Sequence, residues 1–159
     1  MRIISTGRLE DCLTELTADA IRAEVHRFAR LLCTAGARAV KVWCSWNPDL
    51  PHDSPLQSPK AIIPPDLVLD FFETAVRNRV WAYGDVWNRA GIDAVDGSFR
   101  LFLGNDKDIS LDSEIQDLLD ATRSAWVSAG YEVHEKKNEV WVRINPPPDP
   151  SPSPGATES

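Results

Sequence analysis

The stretch Phe99-Arg100-Leu101-Phe102-Leu103-Gly104-Asn105-Asp106-Lys107-Asp108-Ile109-Ser110-Leu111 decides the fold class. Phe99, Leu101 and Leu103 alternate with Arg100 and Phe102, the period of a strand with one covered face. Gly104 to Lys107 is turn chemistry, and Asp108 to Leu111 reads as a short return strand. A hairpin at this position makes the sheet antiparallel.

Toward the C-terminus, Ser113-Glu114-Ile115-Gln116 fits a capping box, with a hydroxyl at the N-cap and Gln three residues on. The helix it opens carries Ile115, Leu118, Leu119, Thr122, Trp126 and Ala129 on one face, and Gly130 ends it. Tyr131 to Glu135 and Glu139 to Ile144 read as a second hairpin around Lys136-Lys137-Asn138. Val140, Val142 and Ile144 share one side of it; Trp141 and Arg143 share the other.

Toward the N-terminus, residues 17–35 read as a helix. Ile21, Val25, Phe28 and Leu32 lie on one face, Thr17 suits the N-cap, and Gly36 suits the C′ position. Residues 39–46 read as a strand, with Val40, Val42, Cys44 and Trp46 on one side and Lys41, Trp43 and Ser45 on the other. Residues 47–65 hold six prolines and are expected to be a surface loop with no regular element. Asp66 opens a further helix through Val68, Phe72 and Val76. Periodicity leaves residues 80–98 open between helix and strand. From Asn145, six of ten residues are proline, so residues 146–159 are expected to form an extended or disordered tail.

The expected fold is therefore α+β, in the order α-β-loop-α-β-β-α-β-β. It is a single domain over residues 1–145, with an antiparallel sheet of about five strands and helices on one face. A dinucleotide-binding fold would need strict βα alternation and a Gly-rich first turn, and the sequence has neither.

Composition narrows function. The chain has 159 residues, 43% of them hydrophobic, and a net charge of −7 from 17 basic and 24 acidic residues. That balance argues against nucleic acid, whose phosphates need a basic footprint, and against a polybasic membrane tether. No apolar run approaches the roughly 20 residues that span a bilayer. The first residues turn polar too soon for a secretory signal, and the cysteines, Cys12, Cys33 and Cys44, are odd in number with no C-x-x-C pair. A cytoplasmic, reducing location is expected.

Motifs for catalysis or metal binding fail on inspection. A calcium loop begun at Asp106 would place Leu111 where the sharp turn demands Gly. Asn105-Asp106-Lys107-Asp108 resembles a guanine-reading motif with its lysine misplaced, and no phosphate loop accompanies it. His26, His52 and His134 have no metal-ligand spacing. Neither a G-x-S-x-G elbow nor an S-x-x-K motif occurs. No metal, cofactor or catalytic residue is assigned.

Two features remain. Residues 104–139 hold nine acids and four bases, five of the seven net negative charges. Asp106, Asp108, Asp112, Glu114, Asp117 and Asp120 form the candidate acidic patch, able to steer a basic partner. Six tryptophans are present; Trp46 and Trp126 fit the core, whereas Trp43, Trp81, Trp87 and Trp141 are candidate partner anchors. The expectation is a small, acidic, non-enzymatic protein-binding domain with a basic protein partner. A bacterial immunity or antitoxin protein that neutralises a basic toxin through the acidic patch and exposed aromatics is its concrete form. The alternatives are a small-ligand-binding protein or enzyme with a pocket under the 47–65 loop, using His52 or Asp53, and a subunit of a larger assembly.

Overall fold

The computed structural model describes residues 1–7, 16–45, 47, 49–51, 53–54, 57–85, 88–104 and 107–145. The fold is α+β. Eight strands, β1 (Arg2–Gly7), β2 (Val40–Cys44), β3 (Lys60–Ile63), β4 (Ala90–Ala94), β5 (Phe99–Leu103), β6 (Asp108–Ser113), β7 (Val133–Lys137) and β8 (Val140–Arg143), form one antiparallel sheet in the order β3-β2-β4-β5-β6-β1-β7-β8. Among the described residues three helices pack on it: α1 (Ala18–Thr34), α2 (Val68–Arg77, entered through a 3-10 turn at Pro65–Leu67) and α3 (Gln116–Ser128).

The register explains the core. One row of opposed residues runs Ala61, Val42, Ile92, Leu101, Leu111, Ile4, Glu135 and Val142 across all eight strands. Its five central residues are buried, and helices cover this face. Phe28 of α1 meets Phe99 edge-on at 5.6 Å, α2 packs on β2, and α3 packs on β6, β1 and β7 with Trp126 wholly buried beneath it. Glu135, the one acid in the row, is held by Arg2 at 2.7 Å. The adjacent row, Lys60, Trp43, Gly91, Phe102, Ser110, Ser5, His134 and Arg143, faces the side without helices.

The helix at 17–35 forms as expected: Thr17 accepts a hydrogen bond from Ala20 N at 3.1 Å, and Gly36 takes φ +78° after its end. Both expected hairpins form. The strand count does not hold, because β1, β3 and β4 escape the alternation rule. Strand β1 is interior, between β6 and β7, and buries Ser5 and Thr6 in a stretch that reads as polar. Strand β3 lies inside the proline-dense segment, between Pro59 and Pro64, so that segment does hold a regular element. It is an edge strand, where flanking prolines cost no ladder bonds. Strand β4 is buried on both faces over Ala90–Asp93, so it shows no period. The capping box is also not formed: Ser113 ends β6, and its hydroxyl accepts from Ile115 N at 2.9 Å in the turn before α3. The tail after Asn145 lies outside the described residues.

Candidate functional site

A concavity opens where α1 ends and α3 begins. Gly36 stops α1, and residues 37–39 lead into β2; on the other side Ser113 and Glu114 turn β6 into α3. Between them the β4–β5 turn, Val95-Asp96-Gly97-Ser98, closes one end. Gly97 has φ +80°, and Asp96 accepts from Ser98 N at 3.0 Å. Glu114 N donates to Ser98 O at 3.0 Å, which ties the start of α3 to this turn. The result is a groove of about 740 Å³ with Leu31, Leu32, Ala94, Phe99 and Leu118 among its lining.

Apolar side chains at its lip are unusually open: Ile62 is 65% exposed, Val95 59% and Ile115 41%. Charged groups border it: Asp96 and Asp117, with Arg38 opposite in sign. The bonds from Ser98 hold the Asp96 carboxyl below the usual carboxylate range, so it is anionic at neutral pH. An apolar floor with anionic groups at the edge suits an apolar side chain flanked by cations.

Of the sequence-derived acids among the described residues, only Asp117 lines this groove. Asp120 lies three residues further along α3, accepting from Gln116 at 2.8 Å and from Arg123; these bonds hold its carboxyl low. Glu114 is exposed in the turn. Asp108 and Asp112, on β6, alternate with the buried Ile109 and Leu111 and so belong to the side of the sheet without helices. The acids are therefore divided between two sides of the molecule. Asp106 lies outside the described residues. Asp96, Val95 and Ile62 were missed by sequence reasoning; the turn chemistry of Asp96-Gly97-Ser98 was their one visible signal.

The tryptophans also separate. Trp81, 3% exposed, is core, packed on Phe72 and Tyr83 with ring centroids 5.3 and 5.0 Å away. Trp43 lies across Gly91, whose added Cβ would meet the indole at 2.6 Å, and beside Phe102 at 6.1 Å, with the Arg89 guanidinium over the Phe102 ring. Trp141, 37% exposed, stands on the edge strand β8. Trp46 and Trp87 lie outside the described residues.

A smaller concavity of about 350 Å³ lies between β3 and α2, where Pro59 meets Ile63 and Phe71. It adjoins the end of the proline-dense segment; Asp53 is exposed in that segment, and His52 lies outside the described residues. A third, polar one of about 420 Å³ on the helix-free side gathers Met1, Lys41, Asp93, Arg100 and Asp112. Arg100 pairs with Asp93 at 3.2 Å.

Among the described residues, no three His, Cys, Asp or Glu side chains converge as metal ligands would. His26 is exposed on α1, and His134 approaches Glu132 at 3.5 Å. Burial, with Asp85 adding to it, pushes the Cys44 thiol up to about 12, so it is no nucleophile at neutral pH. Cys33 is exposed; Cys12 lies outside the described residues. Among the described residues no helix is long and apolar enough to cross a membrane. Comparison of the chain with protein-family models, curated proteins and solved structures finds no match.

Proposed function

We propose that this is a non-enzymatic protein-binding domain whose docking site is the groove between α1, α3 and the β4–β5 turn. The observation that carries the reading is the meeting of exposed Ile62, Val95 and Ile115 with the anionic Asp96 and Asp117 around one cavity. Such a site takes an apolar anchor flanked by lysine or arginine: apolar burial holds the complex and charge speeds and orients encounter. Toxin neutralisation, with the acidic domain sealing the basic surface of a toxin, is the form that the net charge of −7 favours.

The test compares capture of partners from the native host by the wild-type chain, by Val95→Lys/Ile115→Lys and by Asp117→Lys. A stoichiometric basic protein held by the wild type is expected. It should be loosened by salt, lost with the double variant and slowed in association by Asp117→Lys. Equal retention by all three chains would place the contact elsewhere and sink the proposal.

A second reading has its own support, because about 740 Å³ lies within the range of small-molecule pockets. An apolar metabolite that raises Tm for the wild type but not for Val95→Lys/Ile115→Lys would favour it.

A further inference from the structure

The two edges of the sheet are guarded unequally. At one end β3 is four residues long and bracketed by Pro59 and Pro64, with Lys60 on its strand. Proline and lysine on a short strand are the usual protection against edge-to-edge pairing. At the other end β8 is equally short and carries Arg143, but no proline borders it directly and three of its four side chains are apolar. Val140 is 60% exposed, Trp141 37% and Val142 40%, so apolar side chains stand open on both faces of one strand.

Among the described residues, β7 is the strand that pairs with β8, at the end of the sheet. Ile144 N donates to Val133 O at 2.9 Å, which fixes the alternation of the β7–β8 ladder. Val142 and Val140 then turn their peptide groups toward β7, and Trp141 and Arg143 turn theirs outward. Pro146, Pro147 and Pro148, which follow in the sequence, carry no N–H to complete a ladder there.

We propose that β8 pairs antiparallel with β8 of a second copy, about a two-fold axis at Trp141, and joins two sheets into one. A two-fold perpendicular to the sheet keeps each face on its own side, so opposed residues must share parity. Centred at Trp141, the axis sets Trp141 against Trp141 of the second copy and Val140 against its Val142, twice. Just beyond the ladder, Arg143 comes near Glu139 of the second copy, which stands at φ +66° in the turn before β8, so opposite charges approach at both ends. Glu139 is 90% exposed at its side chain and its intramolecular partner is Lys136, at 3.2 Å. Within its own chain Arg143 pairs with Glu132 at 3.0 Å and donates from Nε to Asn145 O at 2.9 Å. The strand is therefore complementary to itself in main chain, apolar surface and charge. The contact is short, so the pairing is reversible.

Sedimentation velocity over a concentration series tests the proposal. The wild-type mass should rise from 17.7 kDa toward twice that value. Trp141→Lys should stay at the single-chain mass with an unchanged circular dichroism spectrum. Glu139→Arg and Arg143→Glu, each alone, should also stay single, since each places like charges at both ends. Mixed together they should associate one to one, because the mixture restores both opposite-charge contacts. Arg143→Glu faces Glu132 within its own chain; if it fails to fold, wild type against Trp141→Lys still decides. A wild-type chain that remains single up to about 1 mM, where association ceases to be specific, overturns the proposal. So does a dimer that Trp141→Lys leaves intact.

Discussion

Gly91 shows how one missing side chain sets the surface of the sheet. Trp43 lies over its Cα, and a Cβ there would stand 2.6–2.7 Å from three indole atoms. Exchanging Gly for Ala in a strand ordinarily stabilises by about 0.5–1 kcal/mol through backbone entropy. Here overpacking, worth about 1–3 kcal/mol, opposes it and wins, because Phe102 limits where the indole can move. Gly91→Ala is expected to lower stability in urea titration and to shift tryptophan emission as Trp43 tilts outward. An unchanged midpoint would mean that the indole moves freely. Trp43 among polar neighbours was legible in the sequence as a half-covered residue. What covers it was not, because Gly91 is 48 positions away and in contact only through the register of β2 with β4.

At the scale of elements, an ion pair on α1 reaches α3 through a hydrogen bond. Glu24 is 5% exposed; Arg27 donates to it at 2.9 Å and to Thr122 of α3 at 3.3 Å. Removing the arginine leaves a buried carboxylate without its cation, so Arg27→Ala should cost about 2–3 kcal/mol in urea unfolding. Adding Glu24→Gln to that variant should recover much of the loss, since the uncompensated charge goes with it. No recovery would assign the loss to packing of the arginine stem. The sequence marks Glu24 and Arg27 as part of a polar helix face. The amphipathic period identifies what faces the core, but not that α3 lies alongside and removes this polar edge from water. Likewise the run Ser113–Gln116 was legible as the entry to a helix, while the sheet holds Ser113 in β6 and delays the helix by two residues.

At the scale of the molecule, the net charge of −7 is set by composition, but its effect on stability depends on where each acid is placed. Burial raises the Asp112 carboxyl above the usual carboxylate range, against the pull of the N-terminal ammonium and Arg100. The folded chain thus holds this proton more tightly than the unfolded one. The corresponding stability is present below the unfolded value and is lost as pH rises through the folded value. Asp112→Asn should therefore raise Tm at pH 7. The gain should vanish below about pH 3.9, where both states are protonated. Melting curves of the two chains across this range check it, and a lower Tm for Asp112→Asn at pH 7 would show that the attraction to Arg100 outweighs burial.

The sequence by itself determined the α+β class, the antiparallel hairpins, the position of α1 and the acidic surplus. These rest on periodicity, turn chemistry and charge, which are local properties of neighbouring residues. Tertiary structure alone decided that β1 enters the sheet between β6 and β7, that β3 forms between prolines, and that β4 can be built from small residues buried on both sides. It also decided the groove, which takes side chains from α1, β3, β4, β5 and α3. Such pairings are settled by burial and main-chain hydrogen bonding between segments far apart in the chain, and no local pattern carries that information.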